Sequence, residues 1–180
     1  MRKVEVIPYQ ENWRRKFEAE AHNLKSLFGT NSQNIYHIGS TSIPNMSAKP
    51  IIDILVEVKS LEQVDKQNNE MIKKGYKSFG EHGIPDRRFI IKGGVKRTHH
   101  IHVFPEGNME IERHLSFRDY LISHPKEALQ YCQLKEELAV RYPFDIDRYM
   151  KGKDSFIKSI DRRAKEWKRE KVGSEKSFDK

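Results

Sequence analysis

Apolar and polar positions alternate along this chain with two periods, and the changes of period mark its elements. Across residues 11–28, Trp13, Phe17, Ala21, Leu24 and Phe28 recur at helical spacing and Gly29 ends the run, which predicts a first helix. Ahead of it, residues 4–7 read as a short strand stopped by Pro8. Residues 35–38 read as a strand that runs into Gly39-Ser40-Thr41-Ser42, and residues 51–58 form the strongest strand in the chain. A second helix is expected over 61–74, stopped by Gly75, and a further strand begins at 76–79. Residues 88–92 and 95–104 flank Gly93-Gly94, the signal of a two-residue hairpin.

After Pro105 the period turns helical for the rest of the chain. Ile111, Leu115 and Ile122 mark a helix over 109–122. Pro125, with Glu127 in the first turn, opens another that reaches residue 141. Asp145 is the expected cap of the last helix, whose apolar stripe is Tyr149, Phe156, Ile160, Ala164 and Trp167. Strands first and helices last predict an α+β fold: one domain over 1–167, with an α/β core at 1–105 and C-terminal helices at 106–167. A polar, frayed tail is expected at 168–180.

Composition narrows the class. With 36% apolar residues among 180, the chain can bury a sizeable core. One cysteine, Cys132, excludes an intrachain disulfide and a thiolate metal site. The apolar stretch at 51–58 is interrupted by Asp53 and Glu57 and is too short to span a bilayer. The N-terminus carries no stretch of signal-peptide length, so the expectation is a cytoplasmic protein. A net charge of +8 favours anionic partners. Aromatic residues do not interleave with a localised basic run, which argues against a nucleic-acid-binding module.

Three features point to one site. Gly39-Ser40 ends a strand, where a residue without a Cβ lets phosphate oxygens approach the backbone amides. Asp53 sits in an apolar strand, sharing a face with Leu55 and Glu57 while Ile52, Ile54, Val56 and Val58 face the other way. An unpaired carboxylate there is costly, so it requires a cation, a metal or donors. His100 and His102 share one face of a strand, where two imidazoles can bind a metal or a phosphate.

These features resemble the nucleotidyltransferase superfamily pattern, in which a Gly-Ser loop precedes a strand carrying metal-binding acids. The resemblance is closer still to the GrpB family. It is carried by His37-Ile38-Gly39-Ser40-Thr41-Ser42-Ile43-Pro44, Ala48-Lys49-Pro50-Ile51-Ile52-Asp53-Ile54, Arg87-Arg88-Phe89 and His100-Ile101-His102-Val103. Phe117-Arg118-Asp119-Tyr120-Leu121, Tyr131 with Lys135, and Tyr149 with Lys153 complete it.

The resemblance implies a nucleotidyltransferase-like fold: a mixed or antiparallel sheet with helices on one side and a C-terminal helical extension. The site features are expected to be those of a metal-dependent nucleotidyl or phosphoryl transferase acting on a nucleotide or another phosphorylated small molecule, a reaction the resemblance does not itself supply. A catalytically degenerate ligand-binding domain is the alternative. Asp53 is then the catalytic residue. Gly39, Ser40, Thr41, Ser42, Lys49, Arg88, Lys135 and Lys153 are the phosphate-binding candidates. Asp53, His100 and His102 are the candidate ligands of a divalent metal (Mg²⁺, Mn²⁺ or Zn²⁺). Leu55 stands where the second acid of the superfamily pattern would fall, so one metal is expected rather than a bridged pair, and imidazole shifts the preference towards Mn²⁺ or Zn²⁺.

Overall fold

A computed structural model describes residues 3–175. Its framework is a five-stranded mixed sheet in the order β1-β2-β5-β4-β3. The strands are β1 (Ser32–Ile38), β2 (Ile52–Val58), β3 (Tyr76–Ser78), β4 (Arg88–Lys92) and β5 (His99–Pro105). β2 and β5 run parallel at the centre; the other neighbours are antiparallel. The α+β expectation and the mixed sheet are both met.

Alternation decides which face is dry. Ile52, Ile54, Val56 and Val58 are all at most 1% exposed, each contributing roughly 1.5–3 kcal/mol through burial. They pack with Ile90, Ile101 and Val103 against α1 (Asn12–Phe28), α2 (Leu61–Lys66) and α3 (Asn68–Lys73), through Trp13, Leu24, Val64 and Met71. The opposite face carries Ile38, Leu55 and Phe104, covered in part by α4 (Met109–Ser123) through Ile111 and Leu115. Two further helices, α5 (Pro125–Arg141) and α6 (Ile146–Glu175), complete the C-terminal layer.

Several expected elements change. Residues 4–7 form no strand: Ile7 makes an isolated bridge with Ala48, and the Val4 amide donates to the Pro143 carbonyl at 2.7 Å. The helix expected over 61–74 breaks into α2 and α3 at Gln67. Gly93-Gly94 does not make a two-residue hairpin. β5 starts only at His99, and the Thr98 amide donates to Lys92 O at 2.9 Å to close the wider connection. A Cβ on Gly93 would lie 2.5 Å from Lys96 O, so the glycine serves this folded-back loop.

The expected polar tail is helical as far as Glu175, with residues 176–180 outside the described range. Lys168 pairs with Glu112 on α4, and the Lys171 ammonium lies 4.2 Å from the centroid of the Trp167 ring. These contacts extend the helix past the apolar stripe. Asp145 caps α6 as expected, its carboxylate accepting from the Arg148 amide at 3.0 Å. No helix among the described residues is long and apolar enough to cross a membrane.

One buried polar cluster ties α1 to the sheet edge. Glu20, 3% exposed, accepts from the Tyr76 hydroxyl, from Lys92 Nζ at 2.6 Å and from Asn23 Nδ2 at 3.2 Å. Burial pushes this carboxyl up, but the bonds from Lys92 and Tyr76 outweigh it and leave it below the usual carboxylate value. Its stabilisation is therefore complete above the unfolded value near 4.5 and is lost as pH falls through the depressed one. Glu20→Ala leaves Lys92 without its acid and should cost about 2–4 kcal/mol by urea unfolding at pH 7. The gap between wild type and variant should narrow below pH 4; a gap that widens there would refute the assignment.

Candidate functional site

The parallel register of β2 and β5 places Asp53 beside His100 and Leu55 beside His102. Across β4, His100 meets Ile91 and His102 meets Phe89. Asp53, His100 and His102 therefore share the face away from the apolar layer of α1–α3. Asp53 Oδ1 lies 3.3 Å from His100 Nδ1 and 4.0 Å from His102 Nε2. Burial raises this carboxyl, but the two histidines outweigh that and hold it well below the usual carboxylate range. Asp53 is the fixed negative charge of the site. His100 Nε2 is buried and finds no partner among the described residues.

The loop after β1 closes directly over this carboxylate. Gly39 has φ +69° and ψ −172°, a region open essentially to glycine alone. A Cβ there would stand 2.6 Å from Asp53 Oδ2. Glycine is thus required twice, by its dihedral angle and by the approach to Asp53. The Ser42 amide and hydroxyl both donate to Gly39 O, at 3.1 and 2.6 Å, and Thr41 Oγ1 sits 2.9 Å from His37 Nε2. Ser40 stays on the cleft side, within bonding reach of the Tyr131 hydroxyl.

The C-terminal helices supply the opposite wall of a cleft of about 450 Å³. From α5 comes Lys135, 2% exposed, and from α6 comes Lys153, 7% exposed. Each ammonium lies 4.6 Å from the ring centroid of the tyrosine one helical turn earlier, Tyr131 and Tyr149 respectively. Lys135 also donates to Ser47 O. Neither makes an ion pair with a carboxylate among the described residues. Burial pushes Lys135 down to about 7. Burial and the nearby Lys49 push Lys153 down to about 8, against the pull of Asp53. The outward snorkel that lysines in an apolar stripe adopt elsewhere is absent here, because Tyr131 and Tyr149 hold the stems inward.

Most of the sequence candidates line this cleft: Gly39, Ser40, Thr41, Lys49, Asp53, His100, His102, Lys135 and Lys153. Two do not. Ser42 lies on the far side of its loop, in a separate groove with Tyr9, Phe17 and Arg118. Arg88 shares the face of Ile90 and Lys92 and makes a two-pronged bond to Asp65 on α2, at 2.7 and 2.8 Å. Its neighbour Arg87 takes the cleft position, because it alternates in phase with Phe89 and Ile91. The Arg87 guanidinium is held by the carbonyls of Glu81 and His82 at 3.1 and 2.7 Å and approaches His102 Nδ1 at 3.5 Å.

Arg113, His114 and His82 also reach the cleft and were not singled out in the sequence. Arg113 is neutralised by Glu110 and Asp161 at 2.8 and 3.2 Å. His114 is driven well below its ordinary value by burial and by Arg113. A helical-wheel reading that places His114 one turn after Ile111 would have found it.

The donor set does not fit a resident divalent metal. Among the described residues, no group of three or more His, Cys, Asp or Glu side chains is arranged to hold a metal ion. Leu55, fully buried, fills the position opposite His102 where a second acid would stand, and a guanidinium occupies the other side of His102.

These features define a class, an α+β protein whose cation-walled cleft opens over a Gly-Ser loop and a single strand aspartate. The chain belongs to the GrpB family, described as GrpB protein, which matches residues 3–163. It is similar to UPF0157 protein YqkA of Bacillus subtilis, 52% identical over 168 residues, covering 93% of this chain but only 49% of that protein. The chain thus spans about half the length of that relative. Glutamate-rich protein GrpB of Alkalihalophilus pseudofirmus is 37% identical over 162 residues, 87% of this chain and 93% of that one. The crystal structure of conserved protein GrpB from Enterococcus faecalis superposes with a TM-score of 0.87 at 46% identity, covering 91% of this chain and 99% of that chain. Cid1 in complex with its short product ApU aligns at a TM-score of 0.48 and 9% identity, over 72% of this chain and 40% of that one, which transfers neither activity nor ligand.

Gly39→Ala tests the geometry of the loop. It should cost about 1–3 kcal/mol, because strain and the clash with Asp53 add. Gly80→Ala, with φ +60° and open space around its Cβ, carries only the left-handed backbone penalty, about 1 kcal/mol, and should cost less than Gly39→Ala. Equal losses in thermal or urea unfolding would show that the approach to Asp53 constrains nothing.

Proposed function

We propose that this cleft binds the phosphate of a small phosphorylated molecule, a nucleotide or a related compound, with protein cations where a transferase would place metal ions. The observation that carries this reading is the charge inventory. Lys49, Arg87, Lys135 and Lys153 line the cleft, and Asp53 is the one carboxylate among the described residues that line it. Two ammonium groups buried without an acid are costly in an empty site. A phosphate group offsets that cost by giving both a counter-charge, while the Gly39-Ser40 backbone lets oxygens come close.

Asp53 has a positioning role in this account. Its carboxylate orients His100 and His102, and the remaining ring nitrogen of His102 meets the Arg87 guanidinium, which is thereby positioned in the cleft. The reading is that of a ligand-binding domain on a nucleotidyltransferase-like framework, the alternative drawn from the sequence. Leu55 and the donor set support it over two-metal transfer chemistry.

Calorimetric titration with inorganic tripolyphosphate tests the reading. Wild type should bind it equally with EDTA and with Mg²⁺ or Mn²⁺, and Lys153→Met should weaken binding about tenfold or more. Binding that appears only with a divalent metal would sink this account in favour of the transferase. Affinity should fall as pH rises through 7 to 8, where Lys135 and then Lys153 lose their protons.

The ligand-free protein should show the opposite trend. Both lysines have depressed values, so the unfolded chain holds more protons above pH 7, and their contribution to stability rises with pH from there until the unfolded lysines titrate. Lys135→Met removes its share of this rise in urea unfolding, leaving the smaller part that begins near pH 8 with Lys153. An unchanged slope would refute it.

A further inference from the structure

The C-terminal helices carry two exposed stripes of opposite charge. The first lies on α5, whose inner face is used by Tyr131, Cys132, Lys135 and Leu138. Helical spacing puts Leu129, Gln133, Glu136, Glu137 and Val140 together on the outer face, with Arg141 at its end. Leu129 and Val140 are 59% and 82% exposed. Neither glutamate has an ion pair among the described residues.

The second stripe lines the groove between α4 and α6, a hollow of about 720 Å³. Arg113 meets Glu110 and Asp161 at 2.8 and 3.2 Å, and Lys168 pairs with Glu112. The acids of the groove are thereby all paired. Arg162, Lys165 and Arg169 line the same groove and have no ion pair among the described residues. Apolar side chains close one end, where Met109 of α4 and Val172 of α6 are 80% and 45% exposed. Residues 162–172 and 129–140 each run roughly 15 Å along their helices, so the two stripes match in length.

We propose that this groove receives the α5 stripe of a second copy of the chain. Glu136 and Glu137 then face Arg162, Lys165 and Arg169, and Val140 covers Met109 and Val172. Charge selects the occupant. The groove against its own copy sets cations on cations, and α5 against its own copy sets acids on acids, whereas the crossed pairing is complementary. A nucleic-acid strand would answer the cations but leave Met109 and Val172 uncovered. The two patches are distinct, so a copy that gives α5 to one neighbour keeps its groove for another. Association then continues past a pair unless a ring closes. None of these side chains lines the phosphate cleft, and the proposal does not depend on that reading.

Sedimentation velocity over a range of protein concentrations tests the contact. Wild type in low salt should rise above the monomer mass, and about 1 M NaCl, which shortens screening to about 3 Å, should return it to monomer. One double variant carries Glu136→Lys with Glu137→Lys, another Arg162→Glu with Lys165→Glu. Each sets like charges across the contact and should stay monomeric. All four side chains are exposed, so neither variant disturbs a packed site. Mixed in equal amounts the two should associate again, because each offers the face that the other lacks. A wild type that stays monomeric, a mass that salt leaves unchanged, or a mixture that stays monomeric overturns the proposal. A monomeric wild type that takes up single-stranded RNA in the same runs gives the groove to nucleic acid and overturns it as well.

Discussion

The parallel pairing of β2 with β5 is the constraint on which the site depends. It sets Asp53 beside His100 and Leu55 beside His102, and because the side-chain period of a strand is two, a slip of one residue would bury the carboxylate against α1. The register is held by the other face, where Ile52, Ile54, Val56, Ile101 and Val103 are all at most 1% exposed. The polar row over the cleft is therefore specified by an apolar row it never touches. The same lock forces Gly39: β1 ends with Ile38 opposite Asp53, so the chain must turn away within van der Waals reach of that carboxylate.

Much of this was legible in the sequence, for identifiable reasons. The alternation of residues 51–58 and of 99–104 fixed which side chains share a face, and the spacing of His100 and His102 put both on one side. Helical spacing located α1 and the three C-terminal helices. The pairs Tyr131 with Lys135 and Tyr149 with Lys153 were visible as one-turn spacings, and the structure shows what they mean, an aromatic ring beneath each ammonium.

The misreadings also have physical causes. Choosing Arg88 over Arg87 required knowing which face of β4 meets α2, and Asp65, which claims Arg88, lies 23 residues earlier on a helix. The strand expected at 4–7 makes a single bridge, to Ala48, among the described residues, because its other end is drawn to the connection before α6, where the Val4 amide donates to Pro143 O. The hairpin expected at Gly93-Gly94 opens into a wider loop although both glycines adopt the positive φ a two-residue turn needs, because the chain folds back so that Gly93 packs against the backbone of Lys96 and Thr98. The helical continuation past residue 167 depends on contacts with Glu112 that no local pattern announces.

A site with a single carboxylate and several buried cations behaves differently from one built around metal ions. A metal pair would need acids to hold it, and their charge would stabilise neighbouring lysines in the protonated state. Here burial works against Lys135 and Lys153 with only Asp53 to favour Lys153, and Asp53 is already committed to two histidines. On the proposed reading, the charge that balances the cleft arrives with the ligand. Tyrosine rings beneath both ammonium groups recover part of the cost through cation–π attraction, which keeps the lysines turned inward where a flexible surface lysine would leave. On that reading, this inward-held positive wall facing a glycine loop is preorganised for an anion, and its preorganisation comes from the way α5 and α6 bury their aromatic stripe.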